Sequence, residues 1–167
     1  MRHKTLQFLA ALLLSVGSGT YASAQTVYGL SSQRDGSPGI YSYELCDTGV
    51  TNKQLVQPIE LTGDDASRRY ESLAGGIYVN GKYYYVRYTQ TMSGYEADGF
   101  WVYDFDSKTT KQIKDLGSVA QGPIFGEEEY DYQTGTMYCG NSFSSAGSTL
   151  QILDPSTGNT TAVGNFT

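Results

Sequence analysis

Histidine is almost missing from this sequence. The only one, His3, lies in the first 24 residues, which have the three parts of a secretory signal. Arg2–Lys4 is basic, Leu6–Val16 is apolar but too short to span a bilayer as a helix, and Ala22-Ser23-Ala24 is a small-residue cleavage pattern. The mature chain therefore has no histidine, which excludes Ser-His-Asp and Cys-His catalysis and histidine-ligated zinc or haem.

The predicted cleavage after Ala24 removes a signal-peptide helix and leaves a domain of residues 25–167. Gln25 would be its first residue, and no cysteine stands there to carry a lipid anchor. The sequence thus predicts a secreted, periplasmic or cell-surface protein with no membrane contact once the signal is removed.

Charged residues are also scarce, at 17% of the chain, and acids outnumber bases. The net charge of −6 becomes −8 when the signal takes Arg2 and Lys4 with it. An acidic surface repels nucleic acid and anionic lipid, so neither is an expected partner. The sequence has no glycine-rich phosphate loop, Gly-x-Ser-x-Gly elbow or Cys-x-x-Cys pair, and we expect no cofactor and no metal.

Glycine and tyrosine, in contrast, are abundant, with 20 and 15 residues. The stretch Gly75–Tyr88 has β-branched and aromatic residues on both sides of Asn80-Gly81. Asn-Gly is typical of a two-residue hairpin turn, because both residues tolerate the positive φ that a type I′ turn requires. No segment after the signal has a helical apolar period, so the sequence predicts an all-β fold.

This hairpin recurs along the chain. Gly81 and Tyr84 match Gly135 and Tyr138 at a spacing of 54 residues, and Tyr28 precedes Tyr84 by 56. Asp106 is matched with Asp154 in a later turn. The repeating unit is strand, tight turn, strand, long loop, strand, Asp-led turn, strand. Its copies are expected at about 26–62, 71–117 and 123–166, and the first copy lacks its first strand.

Four-stranded antiparallel units at this spacing are typical of β-propeller blades. Leu153–Gly158 with Val163-Gly164, and Tyr130–Tyr138, resemble the blade repeats of secreted bacterial propeller proteins of the kelch-like and quinoprotein-like superfamily. The resemblance implies a partial propeller of about three blades, the first incomplete. It concerns turn motifs and implies no particular activity. A β-sandwich with coincidental repeats is the alternative.

Long irregular connections are predicted at 33–39, 63–69, 91–99, 117–126 and 142–148. Antiparallel strands put alternate connections at opposite ends, so all five should lie at one end, where a rigid scaffold usually binds ligands. The candidate ligand-binding residues there are Arg34, Asp35, Asp64, Asp65, Arg68, Arg69, Tyr95, Glu96, Asp98 and Glu127. The alternative is that these are solvated loop residues without a specific role.

Glu127-Glu128-Glu129 is the one cluster that suggests glycoside chemistry. Strand alternation allows only Glu127 and Glu129 to share a side, and Glu129 aligns with Gly75 near a possible central channel. We favour a charged strand entry beside solvent, because the sequence indicates no apolar pocket that would raise the pKa of a carboxyl group. Consecutive Tyr83, Tyr84 and Tyr85 must point to opposite faces in turn, which favours packing between blades over a carbohydrate platform.

Three functions remain open from the sequence. The first is a non-catalytic module that binds a glycan or a protein through the long loops. The second is a carboxylate- and tyrosine-based glycosidase or lyase. The third is a structural part of a larger propeller, since the incomplete first blade and the end of the chain at a fourth strand predict an open arc. Such an arc should self-associate or bind a partner chain that completes it.

The two cysteines, Cys46 and Cys139, are expected to remain thiols although an oxidising compartment permits a disulfide. The repeat places a whole unit between them. A disulfide requires their Cα atoms to lie within about 7 Å.

Overall fold

A computed structural model describes residues 25–31, 37–47, 49–64, 69–91, 94–120, 127–141 and 149–165. The predicted signal helix lies outside these residues. Within them the chain is all-β, as predicted. The described residues include no helix long and apolar enough to cross a membrane.

The described strands form three antiparallel sheets. Sheet 1 contains β1 (Gln25–Ser31), β2 (Gly39–Cys46) and β3 (Gly49–Pro58). Sheet 2 contains β4 (Gly63–Asp64), β5 (Arg69–Val79), β6 (Lys82–Thr91), β7 (Gly94–Asp104) and β8 (Thr109–Ala120). Sheet 3 contains β9 (Glu127–Asp131), β10 (Thr136–Asn141), β11 (Thr149–Leu153) and β12 (Thr160–Asn165). The three strands of sheet 1 and the four of sheet 3 confirm the prediction, whereas sheet 2 gains the two-residue β4.

The β5–β6 hairpin has the predicted turn. Val79 pairs with Lys82, which leaves Asn80 and Gly81 as the two loop residues. Their φ angles are 49° and 78°, so both have the positive values that a type I′ turn requires.

We predict that Gly81→Val lowers stability by about 1–2 kcal/mol, because a β-branched residue is strained at this φ. A Cβ added at Gly81 would meet nothing within 4 Å, so the loss of stability should come mainly from backbone strain. Lys82→Ala, next to the turn, is the control. It removes a partly exposed ion pair with Asp104, which contributes little to stability, and should leave folding intact. Equal melting temperatures for Gly81→Val and the wild type would contradict the turn assignment.

Several predicted loops are wrong, because strand pairing continues into them. The expected loop 91–99 belongs mainly to β7, whose Tyr95 pairs with Gln90. β8 extends to Ala120 and pairs there with Glu96, so its last residues occupy part of the expected loop 117–126. These segments are polar or glycine-rich, but backbone pairing along an existing neighbour outweighs their weak strand propensity.

Three aspartates organise the tight turns at one end of the sheets. Asp104, Asp131 and Asp154 each accept a hydrogen bond at Oδ1 from the backbone N–H two residues later, at 2.8–3.0 Å. Four residues after each aspartate the φ is positive, at Lys108, Gly135 and Gly158. The match of Asp106 to Asp154 is therefore wrong by two residues, and Asp104 is the equivalent residue.

These hydrogen bonds lower the pKa of Asp154 to about 2, chiefly through the side chains of Ser156 and Thr157. A carboxyl whose pKa is depressed by folding stabilises the protein above its ordinary pKa of about 4, and that stabilisation is lost as the pH falls towards 2. We therefore predict that Asp154→Asn destabilises the protein at neutral pH, and that its deficit shrinks between about pH 4 and pH 2. Urea unfolding across this range measures the difference. A deficit that is constant with pH would contradict the role of the carboxylate.

Sheet 2 lies between the other two sheets. Tyr83, Tyr85 and Tyr103 point to sheet 1 and form a core with Ile40 and Leu73. On the opposite face, Tyr84, Val86 and Phe100 form a second core with Met137, Cys139 and Leu153 of sheet 3. This confirms the prediction that alternate tyrosines of β6 face opposite ways and pack between sheets.

The two cysteines, both within the described residues, are not joined. Cys46 Sγ lies 3.3 Å from the carbonyl oxygen of Gly49 at the end of β2. Cys139 is buried in the core between sheets 2 and 3, and burial, with a smaller effect of Glu128, raises the pKa of its thiol to about 12.

We predict that a thiol reagent at pH 8 modifies Cys46 in the folded protein and reaches Cys139 only after unfolding, because a thiol with a raised pKa forms little thiolate. Mass spectrometry after labelling with and without denaturant counts the modified sites. A Cys46–Cys139 disulfide in a non-reducing peptide map would contradict both the prediction and the arrangement of the sheets.

Candidate functional site

The ten predicted ligand-binding residues are described to different extents. Arg34, Asp35, Asp65 and Arg68 lie outside the described residues. Asp64, Arg69, Tyr95, Glu96 and Glu127 are placed by their backbone, all in strands rather than loops. Only Asp98 is described with its side chain.

Strand register brings most of the placed positions to one end of sheet 2. Asp64 pairs with Arg69 at the outer end of the short β4–β5 ladder. Tyr70, next to Arg69, pairs with Gln90, and Gln90 pairs in turn with Tyr95. Glu127 begins β9, at the end of that strand away from its Asp131 turn. These positions therefore share the end of the sheets opposite to the tight Asp-led turns.

Asp98 is held by its own sheet. Thr89 Oγ1, from the neighbouring strand, donates a hydrogen bond of 2.7 Å to Asp98 Oδ2. Thr89 is buried, and this bond satisfies its hydroxyl. Asp98 therefore has a structural role across β6 and β7.

Arg87 is the centre of a polar group next to this end. Its Nη2 donates to Glu71 Oε2 at 2.8 Å and to the carbonyl oxygen of Glu60 at 3.2 Å, and its guanidinium lies 5.4 Å from the Trp101 ring. Thr62 N also donates to Glu71 Oε2, at 2.7 Å. Burial raises the pKa of Glu71, but the bonds from Thr62 and the charge of Arg87 outweigh it and leave the pKa lowered. The hydrogen bonds of Arg87 and Glu71 therefore connect the segment 59–62 to sheet 2.

The segment 59–62 also borders an open concavity of about 550 Å³. Its lining residues are Ser37, Pro38, Leu55, Pro58, Ile59, Glu60, Leu61 and Thr62. Glu60 supplies the one charged side chain of this lining, and no pair of carboxylates faces the space. The lining mixes polar and apolar residues, and it lacks the second ionisable side chain that acid–base chemistry usually needs.

Glu128 is the residue that the sequence analysis missed. Gly75 and Gly76 form an irregularity of β5 with positive φ angles of 64° and 130°. Glu128 Oε2 accepts a hydrogen bond of 3.0 Å from Gly76 N, across the contact between sheets 2 and 3. The paired glycines in a strand were the available signal, since they mark a close approach of another chain segment.

Of the acidic cluster Glu127–Glu129, the structure describes the side chains of Glu128 and Glu129. Glu129 is exposed on β9, and Glu128, on the opposite side of that strand, is the residue that meets the Gly75–Gly76 irregularity. Burial raises the pKa of Tyr83 and of Tyr85, the latter to about 12, so neither phenol ionises near neutral pH. The described residues contain no group of three His, Cys, Asp or Glu placed to hold a metal ion.

Comparisons of this chain with known protein families, with curated proteins and with solved structures give no match.

Proposed function

We propose that this protein is an exported, non-catalytic segment of a β-propeller of the kelch-like or quinoprotein-like kind that acts as a ligand-binding and scaffold module. The observation that carries the proposal is the order of the sheets. β5, an inner strand of sheet 2, contacts both β1 of sheet 1 and β9 of sheet 3. Consecutive propeller blades approach one another in this way, with the innermost strand of each blade around a common axis.

The ligand, a glycan or a protein, binds at the end of the sheets away from the Asp-led turns. At the turn end, Asp104, Asp131 and Asp154 are already bonded to their own turns. The opposite end gathers the positions of Arg69, Tyr95 and Glu127, whose residue types offer charge and an aromatic ring. As a scaffold, the protein uses its two outer sheets, 1 and 3, to bind the partner that completes the propeller.

The test is binding of the exported chain to immobilised polysaccharides and to surface proteins of its source cells. Arg69→Ala with Tyr95→Ala should abolish the retention. Lys108→Ala with Lys111→Ala, at the turn end, is the matched control and should preserve it. The proposed site would be contradicted if the protein bound neither polysaccharides nor surface proteins. It would also be contradicted if the Arg69→Ala, Tyr95→Ala variant still bound. Release of new reducing ends from a polysaccharide would favour the glycosidase alternative.

A further inference from the structure

Sheets 1 and 2 use tyrosine at the same place to contact the sheet that follows, and sheet 3 has a tyrosine at that place as well. The repeat puts Tyr28, Tyr84 and Tyr138 at corresponding positions of β1, β6 and β10. Tyr28 packs against the core between sheets 1 and 2, and Tyr84 belongs to the core between sheets 2 and 3. Tyr138 alternates with Met137 and Cys139, which face sheet 2. Tyr138 therefore faces the side on which a following sheet would pack.

The outer face of sheet 3, defined by Tyr138, Ile152 and Val163, is partly exposed. Ile152 pairs with Tyr138 and is 40% exposed, and Val163 is 54% exposed. At the corresponding place in sheet 2, Val102 pairs with Tyr84 and packs against the core shared with sheet 3. Tyr138 and Ile152 of sheet 3 thus repeat the covered pair Tyr84 and Val102 of sheet 2, whereas Glu129 pairs with Tyr138 where Ile77 pairs with Tyr84. The uncovered face of sheet 3 therefore has the apolar pair together with one carboxylate.

The outer face of sheet 1, defined by Tyr43, Leu45, Val50 and Leu55, has the opposite character. Val27 pairs with Tyr43 as Tyr83 pairs with Tyr103 in sheet 2. Tyr83 and Tyr103 are the residues by which sheet 2 packs on the sheet before it.

The apolar members of this face are exposed as well. Leu45, Val50 and Leu55 are 43%, 59% and 42% exposed, and Leu45 pairs directly with Val50. The outer face of sheet 1 is therefore built to pack on a preceding sheet.

We propose that the outer face of sheet 3 in one chain packs on the outer face of sheet 1 in a second copy, and that two copies close head to tail into one ring. The inference rests on the proposed propeller scaffold. Each face matches what the other offers, because both repeat the contact already made twice within the chain. The described sheets of two copies number six, within the about four to eight blades of closed propellers. Closure covers all four outer faces, which an open head-to-tail chain does not.

The test is the mass of the exported protein by light scattering after size exclusion. The wild type should have twice the chain mass. Ile152→Glu on sheet 3 and Val50→Glu on sheet 1 should each give monomers, because each places a charge in both contacts of the ring. An equimolar mixture of these two variants should recover dimers, since one of its two contacts then has wild-type residues on both sides. Lys111→Glu, exposed on β8 outside both faces, is the control and should remain dimeric.

Circular dichroism and thermal unfolding of each variant separate lost association from lost folding. A wild-type monomer with both faces exposed would overturn the proposal, and so would a dimer that Ile152→Glu leaves intact. A mass that grows with concentration would overturn closure by two copies. Ligand retention is measured independently, so a monomer that still binds its ligand refutes the ring and leaves the proposed binding function standing.

Discussion

Replacing Gly76 with alanine should destabilise the protein by about 2–4 kcal/mol, from backbone strain and overpacking together. The φ of Gly76 is 130°, a conformation that residues with a side chain rarely adopt. A Cβ there would lie 2.4 Å from the hydroxyl oxygen of Tyr83 and 3.0 Å from two of its ring carbons. Tyr83 is only 2% exposed and has no room to move away.

Chemical denaturation measures the loss of stability in Gly76→Ala, and two further variants test its cause. Gly164→Ala is the matched control, since a Cβ at Gly164 meets nothing within 4 Å and should change stability little. Tyr83→Phe combined with Gly76→Ala removes the oxygen of the collision and should recover part of the loss. An unfolding midpoint of Gly76→Ala equal to that of the wild type would contradict the close approach of β5 and β6 side chains.

Replacing Phe100 with alanine should cost about 3–5 kcal/mol, the usual loss for a fully buried phenylalanine. Phe100 is 0% exposed and stacks on Tyr84 with ring centroids 5.9 Å apart. A Cβ added at Gly158 of sheet 3 would lie 3.2 Å from the Phe100 ring, so this side chain fills the space between sheets 2 and 3.

Phe100→Ala should loosen the core between sheets 2 and 3 as well as lower the stability of the whole protein. Cys139 belongs to the same core, so its thiol should react faster with a labelling reagent in Phe100→Ala than in the wild type under native conditions. Phe100→Leu keeps most of the apolar volume and is the control, with a smaller loss and slower labelling. Unchanged reactivity of Cys139 in the alanine variant would show that Phe100 does not hold sheet 3 in place.

Local chemistry explains which parts of the fold were predictable. Asn80-Gly81 specifies a turn by the φ angles that two adjacent residues allow, and β6 alternation follows from strand geometry alone. The Asp-led turns were only partly predictable. Asp104 and Asp106 are both suitable turn residues, and only the backbone shows that Asp104 accepts the hydrogen bonds.

Contacts between sheets were beyond the sequence. Glu128 meets Gly76 because sheets 2 and 3 are placed side by side, and no spacing in one chain specifies that distance. The strands through Tyr95 and Glu96 were missed for a related reason. Their ladder partners, not their own propensities, decide that this segment pairs. The candidate site was therefore predictable as an end of the scaffold and not as a set of side-chain contacts.

Every ladder among the described strands joins neighbours in sequence, and this has a consequence for folding. Such pairing closes short loops, so each sheet forms from its own stretch of chain at a small entropic cost. The contacts between residues far apart in sequence lie in the two cores, one on each side of sheet 2. Sheets 1 and 3 each dock through one of these cores, whereas sheet 2 takes part in both, so the outer sheets should open first. A chain that emerges from the ribosome with its amino end first can then fold in the order of its sheets, because each completed sheet offers the surface on which the next one packs.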